Sequence, residues 1–193
     1  MLQHYFIGIK IPSGFEDQIE DFKKKYELNT AYKVIPHVED LHVTLFYLGA
    51  VKEQHLPIIK NSLSEIAVDH SSFSIHIDGL SYFGPSSGPR VVYLSVSESM
   101  ELHPLQREIE IAVAKQLNMP ISDRFTPHVT IAKKRKTTDK LLIQKEKFEP
   151  IEVPVYSFSL FTVHPEMSPK YEAIETFQLQ KKHYSGSNNL FHL

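Results

Sequence analysis

The stretch DLHVTLFYLG, residues 40–49, has the pattern of a buried strand with two polar side chains, His42 and Thr44, on one face. Successive residues of a strand point to opposite faces, so Leu41, Val43 and Leu45 turn one way while His42 and Thr44 turn the other. One face is core and the other is offered to something. A single histidine in such a setting is ordinarily a hydrogen-bonded structural residue. The stretch TPHVTIAK, residues 126–133, outweighs that reading, because His128 and Thr130 repeat the pattern with Val129 and Ile131 on the apolar side. The two histidines lie 86 positions apart in a chain of 193 residues, which divides it into near-equal halves. Two imidazoles in matching settings point to one site with an acid and a base.

Around these strands the chain alternates extended and helical patterns. QHYFIGIKI, residues 3–11, reads as a strand ended by Pro12. SGFEDQIEDFKKKYEL, residues 13–28, has capping-box spacing at Ser13 and Glu16 and an apolar stripe at helical intervals, which predicts one amphipathic helix. Residues 53–69 predict a second helix with Pro57 in its first turn. SFSIHIDGLSYF and RVVYLSVS read as strands joined by the turn GPSSGP, and a third helix is expected from Glu101 to Leu117. TTDKLLIQKEKF, residues 137–148, predicts a short helix, and IEVPVYSFSLFTV and KYEAIETFQL predict two further strands.

The halves therefore run strand, helix, His-x-Thr strand, helix, strand, and then much the same again. That order predicts an α+β, bilobal fold: two lobes related by a pseudo-two-fold, mostly antiparallel sheet with helices outside and a central cleft. Residues 1–182 form the expected single bilobal domain, and residues 183–193 an expected flexible tail.

Hydrophobic residues at 41% and charged residues at 23% are ordinary for a globular protein. No run approaches the roughly 20 apolar residues of a membrane span, and the start lacks the features of a signal peptide, so a cytoplasmic protein is expected. The chain has no cysteine, which excludes disulfides and thiolate nucleophiles. A formal net charge of −2 excludes nucleic-acid binding through the overall field, although KKRK at 133–136 follows the second motif directly. The 11 histidines are scattered without a compact ligand pattern, and no metal and no cofactor are expected.

Histidine's ordinary pKa near 6.5 lets both protonation states exist at neutral pH, which suits in-line attack at phosphorus. One neutral imidazole takes a proton from water while a charged one protonates the leaving oxygen. The threonine hydroxyls can donate to the non-bridging oxygens, where transition-state charge accumulates.

LHVTL and PHVTI resemble the paired His-x-Thr-x motifs of the 2H phosphoesterase superfamily. The likeness extends to YFIGIKIP, PRVVYLSV, FTPHVTIAK and a closing strand near Tyr171. It is greatest for the bacterial and archaeal RNA 2′,3′-cyclic phosphodiesterases, first described as 2′-5′ RNA ligases. The resemblance implies a bilobal fold, no metal, and hydrolysis of a 2′,3′-cyclic phosphate to a 2′-phosphate. It carries catalysis onto His42 and His128 and phosphate holding onto Thr44 and Thr130, with His128 leaning toward base and His42 toward acid. Relatives often have Arg where this chain has Lys133, so the charge stays but a bidentate grip is lost.

Arg90, after the GPSSGP turn, is a further candidate for contact with phosphate or base. Tyr171 and Phe6 are candidates for stacking on a nucleobase. His76 and Asp78 share a face without a stated role. The expected substrates are RNA ends or small cyclic nucleotides, acted on by a monomer with no obligate protein partner. The alternatives are a 2′-5′ phosphodiesterase or ligase, and a non-catalytic module that holds RNA ends.

Overall fold

Each His-x-Thr strand is preceded by a helix and, before that, by its neighbour in the sheet. The computed structural model describes residues 3–181, so the expected tail lies outside the described residues. In chain order the elements are β1 (His4–Lys10), α1 (Glu16–Lys25), α2 (Leu28–Ala31), β2 (Tyr32–Val34), β3 (His42–Ala50), α3 (Leu56–Asp69) and β4 (Phe73–Phe83). There follow β5 (Val91–Val96), α4 (Leu102–Leu117), β6 (His128–Arg135), β7 (Glu146–Val155), β8 (Ser157–Val163) and β9 (Tyr171–Gln178).

The strands form an open α+β sheet in the order β7-β4-β5-β6-β3-β1-β8-β9, with β2 also paired to β6. The pairings between named strands are antiparallel. The units β1-α1-β3 and β5-α4-β6 lie on either side of the sheet's middle, where β3 and β6 meet through one residue pair, Val43 and Val129. Beyond that pair the strands part, and a cleft opens between the half-sheets.

The apolar faces read from the sequence are buried. Leu41, Val43, Leu45, Val129 and Ile131 are each at most 4% exposed. They join one core with Ile59 and Leu63 of α3 and Leu105, Ile109 and Val113 of α4. Burial of such side chains, at about 25 cal/mol per Å² of apolar surface, is the main force holding helices to sheet. Among the described residues, no helix is long and apolar enough to cross a membrane.

Four expectations need correction. The segment 137–148 forms no helix: it runs irregularly until Glu146 begins β7. Its apolar residues Leu141, Leu142 and Ile143 are consecutive rather than spaced by turns, and the backbone N–H of Leu141 is engaged by Ser87 O at 2.9 Å. The Ser13 capping box is absent; α1 begins at Glu16 without a side-chain cap, and the Glu16 carboxylate accepts the Gly14 N–H at 2.6 Å. The helix expected over 13–28 spans only Glu16–Lys25, and Glu27, whose φ is +49°, separates it from α2, which begins at Leu28. IEVPVYSFSLFTV is two strands broken at Tyr156, because β7 pairs with β4 while β8 crosses to β1.

The half-sheets are also not the chain halves. Strands β4 and β5, from the first half, pair beside β6, and β8 and β9, from the second, pair beside β1 and β3.

Candidate active site

Extending the antiparallel Val43–Val129 pair by one residue in each direction sets His42 opposite Thr130 and Thr44 opposite His128. Opposed residues of an antiparallel pair share a face, so both histidines and both threonines turn to the same side of the sheet. Each histidine stands across the seam from the other motif's threonine.

Each imidazole is fixed by a backbone carbonyl two residues upstream. His42 Nδ1 lies 2.6 Å from Asp40 O, and His128 Nδ1 lies 2.8 Å from Thr126 O. A carbonyl only accepts, so Nδ1 carries the proton in both rings, and in the neutral imidazole Nε2 is the acceptor. Aromatic rings fix the planes. Phe6 lies 4.6 Å from His42 between ring centroids, and Tyr171 meets it edge-on at 5.1 Å. On the other side Phe83 meets His128 edge-on at 5.0 Å and Tyr93 lies at 5.1 Å.

Burial depresses both imidazole pKa values. His42 is lowered from 6.5 to about 4 by desolvation, with Lys133 and His128 adding to the effect and the Asp40 carbonyl and carboxylate opposing it. His128 is lowered by desolvation and by Lys133, against the hydrogen bond to Thr126. Lys133 is itself lowered, by burial first and then by Lys134 and Lys170.

Two bulges shape the cleft beyond the threonines. On β3, Gly8 pairs with Thr44 and Ile7 with Phe46, which leaves Leu45 as the extra residue. On β6, Tyr93 pairs with Thr130 and Val92 with Ala132, which leaves Ile131 extra. An extra residue inverts the alternation that follows. Tyr47 and Lys133, each three residues past its threonine, therefore turn to the cleft in place of Phe46 and Ala132. The carbonyl of Leu45 is satisfied by the Gln106 side-chain amide of α4 at 3.3 Å.

The cleft beside His42 encloses about 380 Å³ and brings together Phe6, His42, Thr44, Lys133 and Tyr171 of the sequence candidates. It also contains Lys134 of the KKRK run, and exposes two residues that the sequence reading did not name, Tyr47 and Lys170. Phe6 is 3% exposed and stacks on Phe161 at 4.8 Å, so it backs His42 more than it offers a free face. Arg90 lies on the other half, exposed at the start of β5, with its side chain over Gly84 next to the His128-contacting Phe83. Asp78 is engaged by Ser95 at 2.7 Å, Ser97 at 2.9 Å and Lys147, and does not pair with His76.

Two half-sheets presenting paired His-x-Thr motifs across a cleft define a class, the 2H phosphoesterases. A profile of the 2′-5′ RNA ligase superfamily matches residues 11–164. The chain is 36% identical over 179 residues to the RNA 2′,3′-cyclic phosphodiesterase of Bacillus subtilis, covering 91% of this chain and 96% of that one. It is 33% identical to the enzyme of the same name from Thermotoga maritima, covering 81% and 84%. Among solved structures, Escherichia coli LigT in complex with 3′-AMP matches with a TM-score of 0.77 at 21% identity, over 94% of this chain and 100% of that one. This chain belongs to the 2′-5′ RNA ligase superfamily.

Proposed function

We propose that the protein hydrolyses 2′,3′-cyclic phosphate ends of RNA or nucleotides to 2′-phosphates, with no metal in the step. The observation that carries this reading is the matched pair of imidazoles, each tied at Nδ1 and free at Nε2, set across one seam beside two threonine hydroxyls. His128 Nε2 accepts a proton from water as its oxygen attacks phosphorus. The bond from phosphorus to the 3′ oxygen breaks in line, and protonated His42 delivers its Nε2 proton to that oxygen. Thr44, Thr130 and Lys133 hold the non-bridging oxygens.

The cavity supports this division of roles. The nucleoside lies on the side of the leaving oxygen, and the 380 Å³ cleft that can take it adjoins His42. For the metal-free step, the support is that the two imidazoles and the two threonine hydroxyls already supply a base, an acid and donors to the phosphate.

Product analysis tests the reading with a panel of nucleoside 2′,3′-cyclic phosphates, cyclic-ended oligonucleotides and 2′-5′-linked dinucleotides, before and after dialysis against a strong chelator. Conversion of the cyclic phosphates to 2′-phosphates should survive dialysis and fall roughly 10²- to 10⁴-fold in H42A and in H128A. Cleavage of the 2′-5′ dinucleotides alone would overturn it.

A further inference from the structure

Lys133, Lys134 and Lys170 line the same cleft beside His42. In a regular strand Lys134 would turn away from Lys133, but its φ is +62°, a left-handed conformation that residues with a Cβ rarely adopt. The three ammonium groups are close enough that Lys134 and Lys170 both act on Lys133 electrostatically. Among the ion pairs within 4.0 Å of the described residues, none includes any of the three. The one carboxylate acting on Lys133 is Asp40, already engaged by two backbone N–H groups. The cleft therefore carries a surplus of positive charge, which the single negative charge of a terminal cyclic phosphate does not neutralise.

We infer that Lys134 and Lys170 form a second phosphate subsite, which takes the phosphate on the 5′ side of the terminal nucleotide. The inference rests on the cyclic-phosphate reading of the neighbouring histidines. It makes a nucleotide with two phosphates the preferred substrate, and a nucleoside cyclic monophosphate a poor one. The second phosphate can be a free 5′-phosphate or the first internucleotide linkage of an RNA strand, and the test separates these.

Initial rates are compared for a nucleoside 2′,3′-cyclic phosphate, the same compound bearing a 5′-phosphate, and a trinucleotide ending in a 2′,3′-cyclic phosphate. At low salt the two-phosphate substrates should exceed the first by about tenfold or more in kcat/KM, an advantage that shrinks as salt rises. An advantage for the trinucleotide alone assigns the subsite to the RNA linkage; one shared by the 5′-phosphate compound assigns it to any second phosphate. K134G and K170A should each remove most of the advantage, losing about tenfold more on two-phosphate substrates than on the one-phosphate substrate. Glycine accepts a positive φ, so a loss in K134G is not a backbone effect. In parallel, calorimetry compares adenosine 3′,5′-bisphosphate with adenosine 3′-monophosphate, which needs no turnover. Tighter binding of the bisphosphate that disappears in K134G and K170A upholds the subsite even if the cyclic-phosphate reading fails. Equal affinity and equal kcat/KM for one and two phosphates, or a preference untouched by both substitutions, overturns it.

Discussion

Asp40 holds His42 from the backbone and, through its carboxylate, also holds the strand that covers His42. Its main-chain oxygen lies 2.6 Å from His42 Nδ1. Its side chain, 5% exposed, accepts the backbone N–H of Lys170 at 2.9 and 3.0 Å and that of Tyr171 at 3.0 Å. Tyr171 then sets its ring edge against His42. On the other half Thr126 supplies the carbonyl to His128 at 2.8 Å but brings no carboxylate, so the two histidines differ electrostatically although their tautomers match.

Asp40→Asn tests that link. An amide has one acceptor oxygen and sets an NH₂ group against a backbone donor. Asp40→Ala strands both N–H groups and should destabilise the fold by about 2–4 kcal/mol, read as a lower urea midpoint. Asp40→Asn should stay folded with kcat/KM reduced about tenfold. Because the Asp40 charge raises the His42 pKa, its loss should also move the pH profile to lower pH. An unchanged profile would reduce Asp40 to a structural tether.

The wild-type pH profile follows from the same electrostatics. On the proposed mechanism the productive free enzyme has His128 neutral and His42 protonated, and both pKa values are depressed, His42 to about 4. The bell of kcat/KM should therefore centre on the acid side of 6.5, with limbs that belong to the coupled pair. Bound phosphate favours the charged imidazoles, so the bell of kcat should lie at higher pH. Lys133 lowers both histidines, so Lys133→Met should shift the kcat/KM bell toward neutral while lowering its height. A wild-type maximum of kcat/KM above pH 7 would sink this protonation scheme.

Fold stability should carry the mark of His42. Its folded pKa of about 4 lies below the ordinary 6.5 of an unfolded chain. Between those values the unfolded state binds more protons, so stability is unaffected above about pH 6.5 and falls as pH drops toward 4. The loss from this group is on the order of 3 kcal/mol. Urea unfolding at pH 7.5 and pH 4.5 should show a smaller difference for His42→Gln than for wild type. Equal differences would mean that His42 is as solvated folded as unfolded.

The His-x-Thr faces were legible because alternation holds as far as each threonine, and Leu41, Val43, Val129 and the rest of the apolar set are buried as read. Past the threonines the same rule fails. Leu45–Phe46 and Ile131–Ala132 are apolar doublets where a half-buried strand would alternate, and these doublets are the sequence trace of the bulges. Reading them would have turned Tyr47 to the cleft; Lys133 was reached only through its charge and the family likeness. The exchange of strands between half-sheets left no local trace, since pairing of β8 with β1 joins residues more than 150 positions apart. Lys170 and Asp40 are invisible for the same reason: their roles arise from a contact between residues 130 positions apart.

The division of labour between the histidines is open to a direct test. A good phenolate leaving group in a nucleotide phosphodiester departs without protonation, so the acid becomes dispensable while the base does not. If His42 is the acid, His42→Ala should recover much of its loss with that substrate, and His128→Ala should stay impaired by the same factor as with the cyclic phosphate. The cleft geometry makes this outcome specific: on the proposed mechanism the bulky departing group would sit on the His42 side, in the 380 Å³ cleft. Rescue of His128→Ala instead would exchange the roles and require the nucleoside to bind over the other half-sheet, near Arg90. Rescue of neither would leave both imidazoles as binders of phosphate rather than carriers of protons.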